Sequence, residues 1–307
     1  MTGEPPIGLP RRSRTGYDAG DGGFGMNDAF PRTDVGGVSL SRMIIGTNWV
    51  LGYSHTSPAA DAMIKSRHGE RDSIAAILET FLERGVDTLM GLFRGNQALC
   101  DARKLAEDRT GRKLIVIDTP PLNMDDSESA RREAKAVIAE SAANGATFCF
   151  PHHSSTEQLV NKNLQSIPRL PDYLDMIRAH GMIPGLSAHM PELITYSDAN
   201  EYDVETYIQI YNCVGFLMQI EIEYIHRVIW NAKKPVMTIK SMAAGRVSPF
   251  VGITFSYATI RPRDMVTVGC FTPEEAREDV EIGLAAIERR APNLAGRASP
   301  KKTAIMA

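Results

Sequence analysis

The chain has 307 residues and a formal net charge of −3, which suits either two small domains or a single α/β barrel. The slight negative charge argues against a nucleic acid or an anionic membrane as partner, and no apolar run approaches the ~20 residues that span a bilayer. The four cysteines lack metal-type spacing, so we expect free thiols in a reducing, cytoplasmic compartment.

The two ends of the chain are set apart from its middle. Residues 1–29 are rich in Gly, Pro, Arg and Asp and poor in apolar residues, which predicts a flexible arm. Residues 293–307 are predicted to form a flexible tail. The segment between them, 30–292, is expected to form the folded domain.

From Met43 onward, the chain repeats a pattern of strand, turn and amphipathic helix. Residues 72–84 carry apolar side chains at helical spacing and end before Gly85, a residue typical of a helix C-terminus. Further helices are predicted at 101–113, 127–143, 171–181 and 216–234. Strands are predicted at 43–45, 86–90, 114–118, 147–150, 182–187, 204–212, 236–240 and 265–268.

Eight strands that alternate with helices predict a parallel sheet. Eight such units close into a (β/α)8 TIM barrel, an α/β fold whose active site lies at the C-terminal ends of the strands. An open doubly wound sheet is the alternative. It is disfavoured because GTNWVLG, at 46–52, stands after the first strand in place of a GxGxxG turn.

The last predicted strand is followed by a helix start. Thr272 suits the N-cap, Pro273 suits the first helical position, and Glu275 stands three residues after the cap. The N-terminus of such a helix carries unpaired N–H groups and the positive end of the helix dipole, and it would face the end of a strand. We therefore expect an anion, such as a phosphate, to bind there.

Four segments resemble, in the same order, motifs of the aldo-keto reductase superfamily. They are IIGTNWVLG at 44–52, GLSAHMPE at 185–192, SMAAG at 241–245 and GCFTPEEARED at 269–279. The resemblance covers nearly the whole chain from Phe30, and it implies the barrel of that family and NAD(P) as a cofactor. The residues that it implies for cofactor binding are Ser241, Gly245, Arg246, Thr272 and Arg277.

The chain departs from this family at the catalytic tetrad of Asp, Tyr, Lys and His. The Asp position holds Met90, the Tyr position falls on Gly95 or Leu92, and the Lys position holds Pro120. Only the His position is kept, as His152. Reduction of a carbonyl needs an acid that protonates the developing alkoxide, so this set of residues argues against ordinary reductase chemistry.

Histidines and a lysine stand at the predicted strand ends instead. His152, His153 and Glu157 follow the fourth strand, His189 follows the fifth, and Lys240 ends the seventh. The C-terminal strand ends meet at one mouth of a barrel, so these side chains are candidates for one site. Because neighbouring residues on a strand point to opposite sides, we expect one of His152 and His153 to face the site and the other to bond a loop carbonyl.

Two kinds of chemistry suit these residues. His153, His189 and Asp118 could bind a divalent metal such as Zn, Mn or Fe, which would polarise a carbonyl or acidify a water. Without a metal, the histidines and Lys240 could transfer protons beside a carbonyl, with His152 and Asp118 among the catalytic groups. Asp118 precedes Thr-Pro-Pro and is equally suited to closing a turn through its own backbone.

A long connection follows the first strand. About twenty residues separate Leu51 from Asp72, a length typical of loops that close over an active site. Tyr53, His55 and Arg67 are the side chains of this loop that could contact a substrate.

Three functions fit the sequence. The first is a non-redox enzyme, of the lyase, hydratase or isomerase type, that acts on a small polar carbonyl or hydroxyl substrate such as a keto-sugar. The second is an NAD(P)-dependent oxidoreductase with an atypical proton donor. The third is a non-catalytic binding member of the fold. The sequence is compatible with a homo-oligomer and does not identify the substrate.

Overall fold

The computed structural model describes residues 29–294. The arm predicted at 1–29 and the tail predicted at 293–307 lie almost entirely outside this range. Within it, no helix combines the length and the apolar character that a bilayer span requires.

The strands fall close to their predicted positions. An antiparallel hairpin, β1 (Arg32–Val35) and β2 (Val38–Ser41), precedes the parallel strands. These are β3 (Met43–Gly46), β4 (Thr88–Gly91), β5 (Ile115–Asp118), β6 (Phe148–Cys149), β7 (Ile183–Pro184), β8 (Leu186–Ala188), β9 (Tyr207–Ile210), β10 (Val236–Ile239) and β11 (Met265–Val268).

Helices surround the strands. They are α1 (Asn48–Leu51), α2 (Pro58–Arg67), α3 (Arg71–Glu83), α4 (Gln97–Thr110), α5 (Glu128–Ala143), α6 (His153–Thr156), α7 (Leu170–Ala179), α8 (Glu192–Asn200), α9 (Ile222–Asn231), α10 (Pro249–Thr259) and α11 (Pro273–Glu288). The N-cap predicted for the last helix is confirmed, since Thr272 Oγ1 accepts a hydrogen bond from Glu275 N at 3.2 Å.

The parallel sheet closes on itself. β3 pairs with β11, β7 pairs with β6, and β8 pairs with β9. β7 and β8 are two halves of one strand that breaks at Gly185, where an added Cβ would overlap the Phe150 ring. The nine segments therefore form the eight strands of a barrel, which confirms the predicted (β/α)8 fold and excludes the open sheet.

Alternation along each strand separates two apolar regions. In β3, Ile44 points into the barrel, whereas Ile45 packs in the larger layer between strands and helices. The inner cluster comprises Val35, Leu40, Ile44, Met90, Ile117, Phe148, Phe150, Ile208, Met237 and Met265. Val35 and Leu40 belong to the hairpin, so β1 and β2 close the N-terminal end of the barrel.

One predicted helix begins later than expected. The apolar pattern predicts a helix at 216–234, but α9 starts only at Ile222. Asn212 holds the preceding residues in a turn, because its Oδ1 accepts from Phe216 N at 2.8 Å and its Nδ2 donates to Phe216 O at 2.9 Å. A side chain that satisfies these backbone groups competes with the helix for them.

A buried ion pair joins the segments beneath the barrel. Arg261 Nη2 lies 2.7 Å from Asp264 Oδ1, and both side chains are almost completely buried. Asp264 Oδ1 also accepts from Val236 N at 2.9 Å, at the start of β10. Arg261 Nη1 donates to Ala232 O at 2.6 Å, and Arg42 Nε donates to Asp264 O at 3.0 Å. The pair thus fixes the entries of β3, β10 and β11.

We expect Asp264→Asn to lower the free energy of unfolding by about 3 kcal/mol, because it leaves the Arg261 guanidinium buried without its counter-charge. Urea unfolding followed by circular dichroism measures this loss. Glu274→Gln, which removes an exposed partner of Arg277, is the matched control and should change the value by less than about 0.5 kcal/mol. Equal stability of the two variants would contradict the role of the pair.

Candidate active site

A cavity of about 710 Å³ opens at the C-terminal ends of the strands, where this fold places active sites. The strands themselves create it. Large apolar residues fill the barrel lower down, whereas four of the inward positions near the mouth, Gly46, Thr119, Ser187 and Thr267, are small. The volume lies in the range of pockets for small molecules.

Three hydroxyl groups on the cavity wall have no hydrogen-bond partner among residues 29–294. Thr47, Ser241 and Thr267 line the cavity, and their side-chain oxygens are buried without a hydrogen bond to any described residue. Thr47 lies so close to Gly91 that a Cβ at position 91 would overlap its Oγ1. Buried hydroxyls are normally bonded, so these groups are available to a polar ligand.

The three predicted histidines meet in this cavity. The rings of His153 and His189 are stacked, with centroids 3.6 Å apart and planes at 18°, and the His152 ring lies 4.2 Å from that of His153. Both His152 and His153 line the cavity, so the expectation that only one would do so is wrong. Strand alternation does not apply to them, because β6 ends at Cys149 and α6 begins at His153.

Glu157 supplies the carboxylate beside the histidines. Its Oε1 accepts from the N–H groups of His189 at 2.7 Å and Met190 at 3.0 Å, and its Oε2 lies 3.6 Å from His153 Nδ1. Burial opposes ionisation of Glu157, but the His153 side chain and the two N–H groups outweigh it, so the pKa of Glu157 is lowered. Glu157 is therefore a carboxylate at neutral pH.

The carboxylate predicted for this cluster was Asp118, and the structure places that residue elsewhere. Asp118 Oδ2 accepts from Ser141 Oγ at 2.6 Å, and Oδ1 accepts from Phe93 N at 3.3 Å. Asp118 follows the inward-facing Ile117, so its side chain points outward towards α5 and does not line the cavity. The assignment of Asp118 as a ligand with His153 and His189 is corrected to Glu157.

His153, Glu157 and His189 could hold a metal ion, since their donor atoms all lie within 4.8 Å of one another. In the stacked arrangement, however, the two imidazoles are not oriented to bind one ion together. Imidazole lone pairs lie in the ring planes, and two nearly parallel rings 3.6 Å apart cannot both direct them at one ion. A metal would fit only after one of the two rings rotates.

Two of the histidines are neutral at ordinary pH. Burial and then the neighbouring His153 lower the pKa of His189 to about 3 and that of His152 to about 4. Neutral imidazoles donate or accept hydrogen bonds and bind metals. At these pKa values His152 and His189 are weak bases and therefore poor proton acceptors.

Lys240 faces the same cavity from the end of β10. Its Nζ lies 3.1 Å from His55 Nε2, and in the described part of the chain no carboxylate lies within ion-pair distance of it. Burial lowers the pKa of Lys240 to about 8. Its backbone is left-handed, with φ +63°, a conformation that costs energy for a residue other than glycine.

The connection predicted as a loop over the site contains a helix, α2. Tyr53 and His55 line the cavity as expected, whereas Arg67 does not. The segment is bonded to the opposite side of the mouth, because Thr56 Oγ1 donates to Ala244 O at 3.4 Å. His68 lies 3.0 Å from Phe271 O through Nε2. These contacts hold His55 over Lys240.

Of the five residues implied for cofactor binding, two line the cavity and three do not. Ser241 and Gly245 line the cavity. Arg246 stacks on the Phe216 ring, with its guanidinium carbon 4.2 Å from the ring centroid. Thr272 is the N-cap of α11, and Arg277 pairs with Glu274 at 3.3 Å. These last three residues do not line the cavity.

The N-terminus of α11 is satisfied by the chain itself. Thr272 Oγ1 accepts from Glu275 N, and Glu275 Oε2 accepts at 2.6 Å from the N–H of Phe271, the residue before the N-cap. Glu275, Glu278 and Asp279 line this end of the cavity. The Glu275 carboxylate already lies beside the helix end where an anion was expected. The residues here do not fit the phosphates of a nicotinamide dinucleotide.

Comparison with known proteins supports the fold alone. No protein-family model and no curated protein matches the chain. A proposed aldo-keto reductase from Pseudomonas aeruginosa is 12% identical, with a TM-score of 0.59 over 85% of this chain and 98% of that chain. A truncated 3-deoxy-D-arabino-heptulosonate 7-phosphate synthase from Thermotoga maritima is 13% identical, with a TM-score of 0.50 over 85% and 91%. The chain therefore has an aldo-keto-reductase-like (β/α)8 barrel fold.

Of the three cavity hydroxyls, the sequence pointed to Ser241 through the resemblance and missed Thr47 and Thr267. Thr267 could have been found, because it lies two residues after the inward-facing Met265 on β11. Thr47 lies after the end of β3, and no pattern in the sequence distinguishes it. The contact between His55 and Lys240 joins residues far apart in the chain, and no local signal reveals it.

We expect Lys240 to react with a lysine-modifying reagent at a rate that rises with a midpoint near pH 8, because burial lowers its pKa. An ordinary exposed lysine has a pKa of about 10.4. Peptide mass spectrometry after brief treatment with trinitrobenzenesulfonate across pH 6–11 separates Lys240 from exposed lysines of the same protein. A Lys240 profile that coincides with theirs would contradict the burial of the amine.

We also expect Lys240→Met to raise the free energy of unfolding by about 1–2 kcal/mol at pH 7, since the folded state then no longer buries an ammonium group. The pKa of Lys240 is lower in the folded state than in the unfolded state, so the ammonium disfavours folding fully below pH 8. That penalty fades as pH rises towards about 10.4. Urea unfolding of both proteins at pH 7 and pH 10 measures the difference, and a gain that grows with pH would have the wrong sign.

Proposed function

We propose that the chain is an enzyme that moves protons on a small polar carbonyl substrate without redox chemistry, in a reaction of the lyase, hydratase or isomerase type. The observation that carries this proposal is the convergence of Lys240 with three imidazoles in one cavity. A carbohydrate-like substrate with several hydroxyl groups would match the unpaired hydroxyls of Thr47, Ser241 and Thr267.

The roles follow from the pKa values. A general acid or base works best when its pKa lies near the working pH, and Lys240, with a pKa of about 8, meets this condition. His152 and His189, with pKa values of about 4 and 3, stay neutral and are poor proton acceptors. We assign proton transfer to Lys240, and hydrogen bonding to the substrate's oxygens to His152 and His189, where a neutral imidazole can polarise a carbonyl.

Glu157 and His153 support this arrangement. The Glu157 carboxylate fixes the backbone before and after residue 189 through two hydrogen bonds, which places the His189 ring against that of His153. Groups held in this way need no reorganisation when substrate binds, which lowers the barrier to reaction.

A metal-dependent form of the same function is the second candidate. His153, Glu157 and His189 would hold a divalent ion, since they combine two imidazoles with an ionised carboxylate. Such an ion would supply Lewis-acid polarisation of a substrate oxygen. The ring rotation that it requires favours the metal-free assignment.

The other two hypotheses have less support. An NAD(P)-dependent oxidoreductase would need a phosphate site where Glu275, Glu278 and Asp279 line the cavity. A non-catalytic binding protein would have no need of a half-buried lysine with a left-handed backbone. Strain and a perturbed pKa at a cavity are typical of catalytic residues.

We expect the purified protein to exchange the α-protons of small aldoses, ketoses or 2-keto acids with solvent, without nicotinamide. Proton NMR in D2O detects this exchange directly. Lys240→Met should reduce the rate at least 100-fold because it removes the proton-transferring group, and His189→Ala should reduce it at least tenfold.

Lys113→Met, which changes an exposed lysine, is the matched control and should retain the wild-type rate. Loss of less than tenfold in both Lys240→Met and His189→Ala would contradict the assigned roles. Exchange that appears only after NADPH is added would favour the oxidoreductase instead.

A further inference from the structure

We propose that Lys240 is a nucleophile that forms an imine with the carbonyl carbon of the substrate. This inference rests on the proposed function and deepens it. It restricts the substrate to aldehydes and ketones, and it excludes carboxylic acids and esters as the reacting group.

The position of Lys240 suits a nucleophile. The side chain extends from the end of β10 into the cavity, where the imidazoles of His152, His153 and His189 also lie. The amine is bonded to no acceptor except His55 Nε2, at 3.1 Å, among the residues that the structure describes. A lysine that serves as a structural ion-pair partner would contact a carboxylate, and Lys240 does not.

The backbone from Lys240 to Ala244 contains conformations that residues other than glycine disfavour. Lys240, Ala243 and Ala244 all have positive φ, of +63°, +49° and +55°. Three left-handed residues other than glycine within five positions are costly, and they persist only where the surrounding structure enforces them. The loop after β10 is thus fixed in the conformation that presents the amine.

Burial favours the neutral form of the amine, because it is the cause of the lowered pKa of Lys240. No carboxylate among the described residues lies within ion-pair distance to offset it. A pKa of about 8 leaves about a tenth of the amine unprotonated at pH 7, against less than about a thousandth for an ordinary lysine. The unprotonated amine is the form that attacks a carbonyl.

The step balances with the groups present. His55 Nε2 accepts a proton from the ammonium, and the amine lone pair forms the C–N bond while the C=O π pair moves to oxygen. Two of the three ammonium protons pass to that oxygen through His55, the nitrogen lone pair forms C=N, and water leaves. One N–H remains on the iminium, and the charge of +1 is unchanged.

The iminium explains how the cavity could work without a metal. Its positive nitrogen withdraws electrons from the neighbouring carbon, which acidifies the α-proton or weakens a carbon–carbon bond. In the iminium Lys240 is the electrophile, and His55, beside it, takes over the proton transfer assigned to the free amine. The reactions that follow are eliminations, isomerisations and aldol cleavages, the classes already proposed for this cavity. Lys240 would supply the electrophile that a divalent ion supplies in the alternative.

Borohydride trapping tests the imine. The full-length protein is incubated with glycolaldehyde, dihydroxyacetone or pyruvate, reduced with sodium cyanoborohydride, digested and analysed by mass spectrometry. We expect a probe-specific mass gain at Lys240, formed at least tenfold faster than at any other lysine. His55→Ala should slow the labelling of Lys240 at least tenfold, and Lys113→Met should not change it. Wild-type α-proton exchange should fall in proportion to the labelled fraction.

Two results would overturn the inference. If α-proton exchange proceeds while Lys240 is labelled no faster than exposed lysines, Lys240 forms no imine, but the proposed proton-transfer function stands. If the probes show no α-proton exchange and do not label Lys240, and other aldehydes and ketones give the same result, the inference and the proposed function both fail.

Discussion

Closure of the parallel sheet is the constraint on which this structure depends. A parallel sheet leaves no unpaired edge only if its first and last strands meet, and here β3 joins β11 while one strand breaks at Gly185 to pair with both of its neighbours. The Phe150 ring fills the space beside Gly185. Closure brings all strand ends to one rim, so residues distant in sequence, such as His55 and Lys240, come into contact.

The cavity at this rim has two chemically different ends. One carries the stacked imidazoles, the Glu157 carboxylate that fixes them, and Lys240. The other carries Glu275, whose carboxylate caps the helix that follows the last strand. The fold matches that of solved aldo-keto-reductase-like barrels, but this distribution of charge does not suit a dinucleotide. The fold therefore resembles that of reductases, whereas the residues of the site do not suit their cofactor. One barrel fold commonly carries unrelated functions.

The sequence predicted the barrel well because its signals are local and periodic. Apolar runs of strand length, helix stops at glycine and the cap at Thr272 all act within a few residues. Side-chain direction at strand ends was harder to predict. Asp118 was expected at the site but points to α5, while Glu157, one turn after His153, reaches it. The direction of Asp118 depends on its place in β5, whereas Glu157 lies in a 3-10 turn after α6 that no strand pattern describes.

The helix start at Thr272 was predicted correctly, but the anion expected beside it did not take the side chain of Glu275 into account. Thr272 marks the helix start, and Glu275, three residues later, places its carboxylate beside that start, where it accepts from Phe271 N. The pKa of Lys240 could not be predicted from the sequence, because it depends on burial by segments that come together only in the folded barrel.

The most direct test of the account is a titration of the protein with NADPH, followed by tryptophan fluorescence. Trp49 lines the cavity and lies against Gly269, so a bound nicotinamide dinucleotide would quench its emission. We predict no saturable quenching up to millimolar NADPH, since the Glu275 carboxylate already lies at the helix end where a phosphate would bind. Saturable quenching that disappears in the Trp49→Phe variant would contradict it.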